Sequence, residues 1–172
     1  WPRNTRAPSS RRAPGYAWGH LTVERGLEPA KIVLYGESLG SVPALELARR
    51  LAAEGRSGPG AIIIEGAFTS ALEMARRAFP FFPVRWILRS KLDNLSTVKQ
   101  ITTPMLFLHA GRDEVAPVEM GRRLYEASAS RLKEFHEVPM ARHNTLWTTE
   151  GAAIYPRIRN FVGRALGIDA AP

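Results

Sequence analysis

Cysteine is absent from the 172 residues. That excludes a disulfide scaffold, a thiolate metal site and a cysteine nucleophile, and it fits a reducing compartment such as the cytoplasm. Long apolar runs are missing too. No stretch approaches the roughly 20 residues a membrane-spanning helix needs, so membrane association is not expected of the chain. Acids are missing from residues 1–20, where Arg3, Arg6, Arg11 and Arg12 supply half of the formal net charge of +8. The remaining excess is dispersed over pairs such as Arg49-Arg50, Arg76-Arg77 and Arg122-Arg123, mostly with acids nearby. That is the pattern of solvated helix faces, and no nucleic-acid partner is expected.

What is present suits a soluble globular domain, with 45% apolar and 23% charged residues. Residues 1–15 are rich in Pro, Arg and Ser and have no hydrophobic period, so they are expected to be disordered or an aberrant N-terminal segment. Residues 16–167 read as a partial α/β domain, and 168–172 as a tail. Strands are predicted over Lys31–Tyr35, Ala61–Glu65, Pro104–His109 and Arg131–Val138. Helical patterns lie between them: the end of one near Arg25, then Leu39 to Ala53, Ser70 to Ala78, Leu95 to Lys99, Pro117 to Ala127 and a closing one from Thr149 to Leu166. Alternating strands and helices predict a parallel sheet of about four strands with right-handed crossovers. The proline-broken aromatic stretch Phe79 to Leu88 reads as a short apolar cap within 79–92, with Phe81, Phe82 and Trp86 as candidate substrate-binding residues.

The most informative stretch is Lys31-Ile32-Val33-Leu34-Tyr35-Gly36-Glu37-Ser38-Leu39-Gly40. A strand runs directly into Gly-x-Ser-x-Gly and a helix starts behind it. Such a turn strains the serine backbone and lifts its hydroxyl clear of the sheet. Gly36 and Gly40 are expected where a Cβ would crowd the strand or the helix. The helix start supplies backbone N–H groups for a developing oxyanion.

In parallel sheets, functional groups gather at the carboxyl ends of strands. Ser38, Asp113 and His143 each follow one, in the order Ser…Asp…His. A serine hydroxyl is a weak nucleophile at neutral pH, so an imidazole must take its proton, and a carboxylate must orient the imidazole. Other candidates fit less well. His109 precedes the acid loop and reads as structural, His136 lies within a strand, and His20 is remote. Glu114 is expected to face away from the site, Glu37 reads as a turn residue, and Glu65 is the best substitute acid.

The chain from about Leu27 to Leu166 resembles the C-terminal half of an α/β-hydrolase. It is most similar to the bacterial serine-aminopeptidase-like or lysophospholipase-like group. The resemblance rests on Gly36-Glu37-Ser38-Leu39-Gly40, Gly66-Ala67-Phe68-Thr69-Ser70, Phe107-Leu108-His109-Ala110-Gly111-Arg112-Asp113-Glu114-Val115-Ala116-Pro117 and Arg142-His143-Asn144. It implies that Ser38 is the nucleophile, Asp113 the orienting acid, His143 the general base and the Leu39 N–H an oxyanion donor. It implies no metal or other cofactor and a small-molecule acyl substrate. The four strands correspond to the fifth to eighth of the family, and the front-half His-Gly loop that gives a second oxyanion N–H has no counterpart here. The expectation is therefore a serine hydrolase of carboxylic esters or related acyl substrates. Amide cleavage by a peptidase-like enzyme and an inert, truncated fragment are the alternatives.

Overall fold

The computed structural model describes residues 13–81 and 92–168. Four strands, β1 (Val33–Glu37), β2 (Ala61–Glu65), β3 (Met105–Ala110) and β4 (Lys133–Val138), pair in parallel and in chain order. The register sets Tyr35 beside Ile63, Ile64 beside Phe107, and Leu108 beside His136. The helices are α1 (Ala13–Gly19), α2 (Ser41–Ala53), α3 (Ala71–Ala78), α4 (Asn94–Val98), α5 (Val118–Ala127) and α6 (Leu146–Leu166).

The pattern of β2 explains the layering. All five of its residues are buried, and alternate side chains enter separate cores. Ile62 and Ile64 pack with Leu45, Ala48, Val98, Phe107 and Leu124, beneath α2, α4 and α5. Ala61 and Ile63 face the other way, against Leu106, Leu108, Ile154 and Phe161, with α6 covering them. On the first side, Trp18 of α1 is buried with Leu47 and Leu51 of α2.

The expected order of elements holds, with shifted ends. β1 begins two residues late because Pro29–Lys31 closes a 3-10 turn, with Ile32 N–H donating to the Pro29 carbonyl. α6 starts at Leu146, three residues before the predicted helix, and bends at Glu150, which has non-helical φ −137° and ψ 26°. Of the segment 1–15 expected to be disordered, residues 13–15 instead open α1, while residues 1–12 and most of the apolar cap expected over 79–92 lie outside the described residues. No helix among the described residues is long and apolar enough to cross a membrane.

Candidate active site

Ser38 has φ +47°, and among the described residues it is the one non-glycine with positive φ. The strain has a local cause. β1 ends at Glu37, Ser38–Gly40 forms a single 3-10 turn, and α2 begins at Ser41. Gly36 is required by this reversal: a Cβ there would lie 2.8 Å from the Gly40 carbonyl oxygen and from Ser41 Cα, closer than real Cβ contacts. Gly40 departs from the expectation. Its φ is −64° and a Cβ would meet nothing within 4 Å, so no crowding demands glycine there.

Two buried polar residues brace the turn. Ser41 Oγ donates to the Ser38 carbonyl at 2.6 Å, and Asn94 Nδ2 donates to Ser41 Oγ at 2.9 Å and to the Phe68 carbonyl at 3.0 Å. Buried polar groups without partners are costly, so these bonds tie the elbow to α4 and to the loop after β2. Sequence reading passed over both residues, since their meeting spans 53 positions.

His143 lies between Ser38 and Asp113. Its Nε2 is 3.2 Å from Ser38 Oγ and its Nδ1 is 2.8 Å from Asp113 Oδ2. The carboxylate fixes the tautomer: Nδ1–H donates to Asp113, leaving Nε2 to accept from the serine hydroxyl. Asp113 is held from the other side, its Oδ1 accepting from the N–H groups of Val115 and Ala116 at 2.9 and 2.8 Å. Gly66, at φ +53°, follows β2 directly beneath the imidazole. The three residues singled out from the sequence therefore meet.

The competing candidates are spoken for. His109 is buried, donates its Nε2–H to the Ala116 carbonyl at 2.7 Å and sits 3.6 Å from Asp113 Oδ2. Burial holds its pKa below the ordinary histidine value, against the opposing pull of the Ala116 carbonyl and Asp113. His136 faces Glu150 at 4.0 Å, and burial together with Arg157 lowers its pKa too. Glu65 bonds Tyr35 and Trp147 rather than an imidazole. Glu114 is exposed and meets backbone, not an imidazole nitrogen. Its Oε2 lies 3.4 Å from the His143 backbone N–H and 3.6 Å from Arg142 Nε, at the outer side of the same loop.

An open, largely apolar groove of about 390 Å³ adjoins Ser38. Its walls include Leu39, Phe68, Ala71, Met74, Ala75 and Leu92. Of the three residues expected to line it, only Phe81 is described. Phe81 is 99% exposed and is not part of the wall, while Phe82 and Trp86 lie outside the described residues.

Comparison with known proteins agrees with this fold. A family model described as serine aminopeptidase, S33, matches residues 84–150. The uncharacterised protein Rv2307c of Mycobacterium tuberculosis is 28% identical over 142 residues, which cover 83% of this chain and 48% of that protein. Human alpha/beta hydrolase domain-containing protein 17B is 31% identical over 110 residues, 64% of this chain and 35% of its own. The chain thus spans about half, or less, of the length of these relatives. Among solved structures, a Pyrococcus furiosus esterase superposes with TM-score 0.65 at 17% identity, covering 87% of this chain and 59% of that one. A meta-cleavage product hydrolase from Pseudomonas fluorescens gives TM-score 0.65 at 15% identity, with 95% and 75% covered. Parallel sheet, strained serine elbow and these likenesses lead to one assignment: the chain has the α/β-hydrolase fold and is similar in sequence to proteins of that superfamily.

Proposed function

We propose that the protein is a serine hydrolase of carboxylic esters or related acyl substrates, with Ser38, His143 and Asp113 as its nucleophile, base and orienting acid. The observation that carries this reading is His143 within hydrogen-bond reach of both Ser38 Oγ and Asp113 Oδ2. In this mechanism Ser38 Oγ attacks the acyl carbon while its proton passes to His143 Nε2, and Asp113 stabilises the imidazolium. The oxyanion sits at the turn behind Ser38, where the Leu39 N–H is the donor. Collapse expels the alcohol, which takes the proton from His143 and leaves an acyl-serine. Water then gives its proton to Nε2 as it attacks, the serine leaves with that proton, and the carboxylic acid is released.

The groove favours acyl substrates over peptide amino termini. Among its described lining residues none is a carboxylate able to pair with an ammonium group. Amide cleavage is the second reading, supported by the serine aminopeptidase description of the matching family model. A fluorophosphonate probe is expected to label Ser38 in the full-length protein and to lose that label in Ser38→Ala. A folded protein that takes no label overturns the assignment. Faster turnover of aminoacyl-p-nitroanilides than of p-nitrophenyl esters would favour the amide reading.

A further inference from the structure

Glu65 ends β2 with 4% of its surface exposed, yet no part of the proposed reaction uses it. Its Oε2 accepts two hydrogen bonds, one from the Tyr35 hydroxyl and one from the Trp147 indole Nε1–H at 3.0 Å. The sequence positions of those donors are informative. Tyr35 lies on β1 three residues before Ser38, and Trp147 lies in the first turn of α6, four residues after His143. We propose that Glu65 is a positioning residue: through one carboxylate oxygen it ties the strand that carries the nucleophile to the helix that follows the base. The proposal rests on the triad reading above.

Three further observations support the assignment. First, packing alone does not enclose the two donors. Tyr35 is 44% and Trp147 43% exposed, so their polar ends add to partial burial in fixing where the rings lie. Second, the loop that carries His143 is anchored ahead of the imidazole by Arg112 N–H on the Ala141 carbonyl at 2.9 Å. Behind the imidazole, Arg142 N–H and Thr145 Oγ1 meet at 2.8 Å, a bond that stays within the loop. Trp147 on Glu65 adds a polar tie from this rear end to the sheet, beside the buried Leu146. Third, the carboxylate sits where both neighbours matter. Glu65 pairs in register with Glu37 on β1 and Leu108 on β3, and the next residue, Gly66, packs beneath the His143 ring. Tyr35 shows the strength of the environment: burial, then the bond to Glu65, raises the pKa of its hydroxyl, which keeps it a donor.

A buried carboxylate that receives only neutral donors depends on both, and releasing either donor frees one arm of the site. The 3.2 Å spacing of Ser38 Oγ and His143 Nε2 then rests on the remaining ties, chiefly the Asp113 bond to Nδ1. Misplacing reacting groups by about 1 Å costs on the order of a hundredfold in rate.

The test uses the full-length protein with p-nitrophenyl butyrate, active sites being counted by fluorophosphonate end-point labelling. Trp147→Phe keeps the ring and deletes the N–H, and Glu65→Leu keeps the bulk and deletes the acceptor. Both are expected to lower kcat per labelled site roughly 10- to 100-fold with KM within about twofold. The double variant is expected to be no slower than the worse single one, since both remove the same bond. Glu65→Gln retains a carbonyl acceptor and is expected to restore kcat to within about fivefold of the natural protein. A Trp147→Phe enzyme with kcat within twofold, a loss confined to KM, or additive effects in the double variant overturns the positioning role. Absence of Ser38 labelling in the natural protein instead overturns the triad itself, so the two failures are distinguishable.

Discussion

His109 and Asp113 share a buried pocket in which one imidazole serves the fold while another, His143, is the proposed base. The distinction is set by what each ring nitrogen touches. His109 Nε2 is committed to the Ala116 carbonyl, and its other face packs against Gly121, where a Cβ would lie 2.3 Å from Nδ1. Since burial holds the His109 pKa below about 6.5, the unfolded chain binds its proton first as pH falls. Between the two pKa values the unfolded state carries more protons, so stability rises with pH and is lost on acidification. The melting temperature is therefore expected to fall as pH drops below about 6.5, with His136 contributing in the same direction. His109→Gln, which keeps a donor for Ala116, is expected to make the fall shallower. An unchanged slope of melting temperature against pH would refute this account. At Gly36 the constraint is steric. A methyl group there meets backbone atoms of Gly40 and Ser41 that cannot swing away. Gly36→Ala is expected to cost about 1–3 kcal/mol by overpacking and to slow Ser38 labelling, as read by chemical denaturation and probe kinetics.

At the scale of elements, α3 joins fold to specificity. Ser70 caps it by accepting from the Glu73 N–H at 3.1 Å, and Arg123 of α5 pairs with Glu73 at 2.6 Å. Its residues Ala71, Met74, Ala75 and Ala78, spaced at helical intervals, form one wall of the groove beside Ser38. Burying a methylene is worth about 0.8 kcal/mol, so kcat/KM is expected to rise about fourfold per carbon along an unbranched p-nitrophenyl ester series. The rise stops where the groove ends. Filling the wall with Ala75→Leu is expected to move that stop to shorter chains, and an unchanged profile would exclude α3 from acyl recognition. This helix was legible in the sequence because its cap and period are local, as were Ser38, Asp113 and His143 at their strand ends. The groove was not. Aromatic character pointed to Phe81, while one wall comes from three alanines and a methionine of a helix that reads as ordinary. Nor were Ser41–Asn94 and Glu65–Trp147, whose partners lie 53 and 82 positions apart. Hydrogen bonds between distant polar residues leave no period to detect.

At the scale of the whole molecule, sheet order makes stability uneven. Ile62, Ile64, Leu106 and Leu108 lie on central strands with neighbours on both sides and helices on both faces. β1, which carries the elbow, pairs with β2 alone among the described residues, and its burial is only partial apart from Gly36. An edge strand opens at lower cost than the strands it borders, because fewer contacts are lost. In the 172-residue chain, amide exchange is therefore expected to be slowest at Ile63 and Phe107 and much faster along Val33 to Tyr35. The consequence for chemistry is an ordering of losses under denaturant. The serine turn depends on β1 keeping its register with β2, whereas far-ultraviolet circular dichroism reports all the helices. Labelling of Ser38 is thus expected to disappear at a lower urea concentration than the helical signal. Coincident midpoints, with β1 amides as protected as those of β2, would mean instead that the elbow and the core unfold as one cooperative unit.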